Sequence, residues 1–118
     1  MPKAMLFFAM LFLTQNSLAV MNWSTCQAVT GVGDYRAFDN SVYYSLSPGI
    51  AGCFYGGVQR VRMTDGVLGV TSDTLKASIA IGLTAVASRV PVRFYYDNSD
   101  VKCNVQIVAL GGYGGECQ

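Results

Sequence analysis

Histidine is absent from this chain of 118 residues, and charged residues are scarce, at 13%. The first absence removes the side chain most often used for acid–base catalysis near neutral pH. A serine or cysteine nucleophile would need another base, and Lys76 and Lys102 are candidates in name only. The scarcity of charge argues against nucleic acid, whose binders cluster Lys and Arg to displace counterions from phosphate. Beyond residue 19, seven Lys and Arg balance seven Asp and Glu, and Arg60 and Arg62 are the densest basic pair. A net charge of zero gives little electrostatic protection against self-association. Long apolar runs are missing too: residues 4–13 form a run of 10, against the ~20 that span a bilayer.

That short run has a different meaning. Lys3 precedes it, polar Thr14, Gln15 and Asn16 follow, and Ser17 and Ala19 are small residues at the −3 and −1 positions of a cleavage site. A basic start, an apolar stretch and an A-x-A-like end make up a secretory signal peptide. Cleavage after Ala19 would leave residues 20–118 as one domain of 99 residues. No cysteine follows the site at once, so a lipid anchor is not expected.

Four cysteines lie beyond the signal: Cys26, Cys53, Cys103 and Cys117. An even number in an exported domain reads as two disulfides. Metal sites bring ligands close together in sequence. Here the spacings are 27, 50 and 14 residues with no histidine, so neither metal nor any other cofactor is expected. Three pairings are open. The favoured one joins Cys53 to Cys103, closing a loop of 50 residues, and Cys26 to Cys117, tying the chain ends.

The domain shows no linker or repeat. Residues 25–32 read as a strand interrupted by Gly31, Gly33 and Asp34, resuming at residues 35–38 before a turn at Asp39-Asn40. Val42, Tyr44 and Leu46 alternate with Tyr43, Ser45 and Ser47, the period of a strand with one face buried. Ser47-Pro48-Gly49 is a turn, and residues 50–55 and 58–63 form a third strand bent at Gly56-Gly57. Residues 72–90 make the one clear helix, capped by Ser72 or Asp73 and ended by Pro91. Leu75, Ile79, Leu83 with Gly82, Val86 and Val90 form its predicted core stripe. The other side, with Lys76, Ala77, Ala80, Ile81, Thr84, Ala85 and Ser88, has so little charge that it suggests burial against loops or another subunit. Residues 92–96 and 102–110 are the last two strands, followed by a glycine-rich tail around Tyr113. A mainly β chain with one helix between the third and fourth of five strands has the order of an OB-type barrel.

No motif in it carries strong catalytic chemistry. Asp97 and Asp100 could serve as paired carboxylates, but Asp97-Asn98-Ser99-Asp100 is ordinary turn composition. Gly31-Val32-Gly33 lacks the strand–loop–helix setting of a phosphate cradle. Asn22-Trp23-Ser24 matches the short glycosylation acceptor pattern. Seven tyrosines remain. Their flat apolar rings and hydroxyl handles suit polar ligands such as sugars, and they also suit strands.

Pro91-Val92-Arg93-Phe94-Tyr95-Tyr96, directly after a single helix and before a final strand, resembles the B subunits of AB5 toxins of the subtilase-cytotoxin and typhoid-toxin type. The likeness covers residues 69–110 and the order of elements before them. It implies an OB-fold subunit, assembly into a homopentamer, a separate catalytic A subunit, and recognition of sialylated cell-surface glycans. The last tyrosine of the family motif lies in the glycan pocket, which implies a sugar contact for Tyr96, with Tyr95 beside it. An Asp and a Ser on the family's first strand complete the pocket; Asp34 and Ser24 are their counterparts here. The chain departs from the family pattern in keeping only Cys53 before the helix and in lacking a long insertion after Tyr96. The expected function is therefore that of a bacterial, secreted or periplasmic, non-catalytic glycan-binding module. The alternative is a periplasmic or surface protein that binds a protein partner through its sheet, and a hydrolase built on Asp97 and Asp100 has least support.

Overall fold

The computed structural model describes residues 19–35, 40–111 and 117. The signal segment up to residue 18, the strand continuation and turn at residues 36–39 and the glycine tail at residues 112–116 lie outside the described residues. The fold is mainly β with one helix: β1 (Met21–Trp23), β2 (Ala28–Tyr35), β3 (Ser41–Ser47), β4 (Phe54–Tyr55), β5 (Val58–Thr64), α1 (Ser72–Ser88), β6 (Val92–Asp97) and β7 (Val105–Leu110).

An OB-type barrel of five strands was predicted, whereas the ladders form two open antiparallel sheets. Their orders are β2-β3-β5-β4 and β1-β6-β7. The predicted first strand starts earlier than residue 25 and is broken into β1 and β2, because residues 24–26 leave the ladder to turn from one sheet to the other. The predicted third strand is broken at Gly56 and Gly57, whose positive φ values of 64° and 77° suit a tight turn. The sheets meet at two isolated bridges, antiparallel at Gln27–Val92 and parallel at Arg62–Asn104. The second stays short because the turn ending at Cys103 delivers β7 to β5 at a single residue.

Gln27 closes the first seam. Its backbone exchanges two hydrogen bonds of 2.8 Å with Val92. Its side chain is fully buried and reaches the Pro48-Gly49 turn: Gly49 N–H donates to Oε1 at 2.8 Å, and Nε2 donates to the Gly49 carbonyl at 3.2 Å and to Thr25 Oγ1 at 2.9 Å. A buried amide is tolerated only when satisfied in this way. The disulfides act at the same two seams. Cys26–Cys117 sits beside Gln27, and Cys53–Cys103 ties the start of β4 to the turn before β7, with Cα separations of 5.7 and 5.6 Å. Loops of 91 and 50 residues correspond to stabilisation on the order of 4 kcal/mol each in the chain-entropy account.

The core follows the alternation of the strands. Val42, Tyr44 and Leu46 from β3, Val61 and Met63 from β5, and Phe94, Val105 and Val108 from the other sheet point inward. α1 lies over them, mainly against β2 and β7. Its N-cap is Thr71, one residue before the predicted pair, with Oγ1 accepting from Thr74 N–H at 3.2 Å. It stops at Ser88, because Arg89 takes the left-handed conformation (φ 57°) ahead of Pro91. The buried stripe holds the predicted Leu75 and Gly82, with Ile79 packed against the core, but adds Ser78 and Ala85, the latter predicted for the opposite side, while Leu83 and Val86 are exposed. The cause is Tyr44, a large ring buried under the helix and packed on Phe94 at 5.6 Å between centroids. Only a face of small residues approaches it. Burial pushes the Tyr44 phenol well above the usual tyrosine range, and Ser78 on α1 offsets this in part.

A Cβ at position 82 would stand 2.6 Å from Tyr44 Cε1 and 3.1 Å from Val32 Cγ2. Gly→Ala inside a helix ordinarily stabilises by about 1 kcal/mol. Gly82→Ala is expected to do the reverse, lowering stability by about 1–3 kcal/mol as an overpacked core does. Urea unfolding of the two proteins measures the sign directly.

Candidate functional site

The residues predicted for the site are distributed over both sheets. β1 pairs with β6 in the register Met21–Asp97, Asn22–Tyr96 and Trp23–Tyr95. Successive side chains of a strand alternate between faces, so Phe94 and Tyr96 turn inward while Arg93 and Tyr95 turn outward. Tyr96 is 7% exposed and belongs to the core cluster, so little of its ring reaches the surface. A bulge between Tyr95 and Tyr96 in the pairing with β7 interrupts the alternation, and Asp97 is buried next to Tyr96. Asp34 lies on β2 opposite Val42, in the other sheet from Tyr95 and Tyr96.

Ser24 is close to Tyr95 along the chain pairing but has a structural role. It is buried, its Oγ accepts from Phe94 N–H at 2.9 Å, and its hydroxyl donates to the Thr25 carbonyl at 2.7 Å. Ser24 N–H donates in turn to the Phe94 carbonyl at 2.8 Å. This side chain therefore satisfies a β6 amide at the point where β1 leaves the ladder.

What reaches the surface there is an aromatic platform. The Trp23 and Tyr95 rings lie 5.1 Å apart, tilted by 38°, and Trp23 is 46% exposed. The Arg93 guanidinium stands 5.4 Å from the Trp23 ring centroid and is held by Nε donating to the Ser24 carbonyl at 3.0 Å. Ile107, across from Tyr95 on β7, extends the apolar area and is also exposed. Together these residues offer two flat π-faces, a phenol and a guanidinium, all fixed by cross-strand register. Flat faces suit C–H surfaces, a cation over an aromatic ring is itself stabilised by the ring's quadrupole, and the polar groups can direct hydroxyl or carboxylate groups.

Trp23 and Arg93 were not among the predicted site residues. With the first strand predicted to begin at residue 25, Trp23 stood outside the sheet as part of the Asn22-Trp23-Ser24 pattern. The i, i+2 relation of Arg93 and Tyr95 was readable, but the partner that gives it meaning comes from β1, some 70 residues earlier in the chain.

Ser24→Ala should leave the Phe94 amide buried without a partner. The expected loss is about 1–3 kcal/mol, read as a lower denaturant midpoint, with the near-ultraviolet signal of Trp23 retained in the folded protein. The chain matches no known protein-family model, no curated protein and no solved structure.

Proposed function

We propose that this protein is an exported, non-catalytic binding module that recognises glycans on the Trp23–Tyr95–Arg93 platform. The observation that carries the reading is the exposed Trp23 ring stacked beside Tyr95 with Arg93 over it. A half-exposed tryptophan fixed in register by a neighbouring strand supplies a rigid apolar face at little entropic cost, which suits the C–H face of a sugar. A carboxylate on the sugar, as in a sialylated glycan, would meet Arg93.

The strand arrangement supports an OB-type reading. β1 and β2 are two parts of one bent segment, and the cycle β2-β3-β5-β7-β6-β1 is completed by the parallel Arg62–Asn104 bridge and the Gln27–Val92 bridge. The homopentamer and the catalytic A subunit rest on the resemblance to AB5 B subunits. The exposed Leu83 and Val86 on α1 are compatible with a subunit contact, and sedimentation of the purified protein reads the oligomeric state. On a glycan array, binding to sialylated or other surface glycans is expected. Trp23→Ala should weaken it at least about tenfold, in keeping with the loss of a stacked aromatic anchor. Absence of binding across the array, or full binding by the variant, sinks this reading.

Cleavage after Ala19 would place the new N-terminus beside a buried carboxylate. Val20 N lies 3.0 Å from Asp97 Oδ1, and Asn98 N–H donates to the Val20 carbonyl at 2.9 Å. Asp97 is 8% exposed and also accepts from Ser99 N–H at 3.0 Å and Ser99 Oγ–H at 2.8 Å. Burial alone would raise its carboxyl, but these hydrogen bonds outweigh it and hold Asp97 below its ordinary 3.8. Cleavage after Ala19 would turn the Val20 nitrogen into an ammonium facing this carboxylate. The disulfides are consistent with an oxidising extracellular or periplasmic compartment.

The sign of the pH dependence follows. The Asp97 contribution is complete above the unfolded carboxyl value near pH 4 and is lost as pH falls through the lower folded value. Denaturation as a function of pH should therefore show stability falling on the acid side, and Asp97→Asn should flatten that limb. N-terminal sequencing of the exported protein reads the cleavage site, and a start other than Val20 would overturn it.

A further inference from the structure

The outer face of the other sheet carries a second arginine–tyrosine cluster, far from the platform in the strand order. On β5, Arg60 and Arg62 point away from the core residues Val61 and Met63 and lie across from Ser45 and Tyr43 of β3. The Arg60 guanidinium stands 5.6 Å from the Tyr43 ring centroid and 5.1 Å from that of Tyr55 on β4. The two rings meet edge to face at 6.1 Å. Arg60 is thus held between two aromatic rings, an arrangement that fixes its planar fork without using its terminal donors.

Those donors have little to bond. Nη2 makes one long contact, 3.5 Å to the Gly56 carbonyl. Arg60 Nε and the Tyr55 hydroxyl are buried with no hydrogen-bond partner. Arg62 beside them spends Nε and Nη2 on the neutral Asn104 Oδ1, at 3.2 and 3.1 Å. Among the described residues no carboxylate forms an ion pair with either arginine. Asp100 is the acidic group whose charge reaches Tyr55, and its Oδ1 accepts from Lys102 N–H at 2.9 Å in its own turn. Across the sheet, Ser45 and Tyr43 have Gly31 and Gly33 as their β2 neighbours, which carry no side chain to pair with the arginines. The cluster has an excess of donors over acceptors on a sheet face, and a buried donor left unpaired is destabilising.

We propose that Arg60, with Tyr55 and Arg62, forms a binding site for an oxyanion, a carboxylate or a phosphate group carried by a ligand. The terminal nitrogens of Arg60 supply a forked pair of charge-assisted hydrogen bonds. The Tyr55 hydroxyl, buried without a partner and with its ring against Arg60, is the third donor. The Cys53–Cys103 disulfide holds β4 and the Asp100–Lys102 turn on either side of it. This site does not depend on the platform at Trp23.

The test is a heteronuclear NMR titration of the purified exported protein at constant ionic strength. Its arms are acetate, inorganic phosphate, sulfate and, as the control, chloride. Saturable shifts of the Arg60 side chain and the β4–β5 amides are expected with acetate or phosphate and not with chloride, and the tighter of the two identifies the ligand's acidic group. Arg60→Gln should weaken binding at least about tenfold, Arg60→Lys should restore part of it by keeping the charge without the fork, and Trp23→Ala should leave it unchanged. Tyr55→Phe keeps the ring against Arg60 and should weaken binding severalfold, which decides the matter even where Arg60→Gln fails to fold. Shifts that match the chloride arm, or unchanged affinity in both Arg60→Gln and Tyr55→Phe, would overturn the proposal.

Discussion

The fully buried amide of Gln27 is the constraint on which the two sheets depend. Residues 24–27 must leave one sheet and enter the other, and a chain that changes sheets exposes backbone groups at the crossing. Gln27 answers this with both halves of the residue: its backbone pairs with Val92, and its side chain closes on the Gly49 peptide and Thr25. A residue with the same volume and no amide would fill the space but leave the Gly49 peptide unpaired. Ser24, three residues earlier, does the same for Phe94. Between them they fix where β1 ends, and therefore where Trp23 meets Tyr95.

The same economy governs the second seam. β5 and β7 share only the Arg62–Asn104 bridge, so the Cys53–Cys103 disulfide and the Arg62 side chain carry what a longer ladder would otherwise supply. A domain of about 100 residues buries a modest core, and covalent ties at both seams limit how far the sheets separate in the unfolded chain. Each sheet then presents an arginine against aromatic rings on its outer face: Arg93 on Trp23, and Arg60 on Tyr43 and Tyr55. With zero net charge beyond residue 19, such local placement of charge, rather than a global field, is what could select a ligand.

Much of the fold was legible because alternation is a local signal. Val42, Tyr44 and Leu46 point inward as their spacing requires, and the stop at Pro91 separates the helix from β6. The even count of cysteines pointed to two bridges, and the structure joins Cys26 to Cys117 and Cys53 to Cys103. The helix stripe was legible in part: Leu75, Ile79 and Gly82 pack inward, but hydropathy alone also assigns Leu83 and Val86 to the core, and both are exposed. The Tyr44 ring lies where a Cβ at position 82 would stand, and nothing local to residues 72–88 announces that ring. Likewise Ser24 and Tyr95 could be singled out by type, but Ser24 is consumed by a backbone amide and Tyr95 acquires its partner from β1.

The elements, the inward faces of the central strands and the cysteine count follow from spacing of two or of three to four residues and from chemistry within a turn. Tertiary packing sets which way the helix turns, where the first strand breaks, and which aromatic rings an arginine meets. Those outcomes depend on contacts between residues tens of positions apart, such as Gln27 with Gly49, Gly82 with Tyr44 and Ser24 with Phe94. No periodicity along the chain encodes the distance between such pairs; close packing and the need to satisfy each buried polar group select them together.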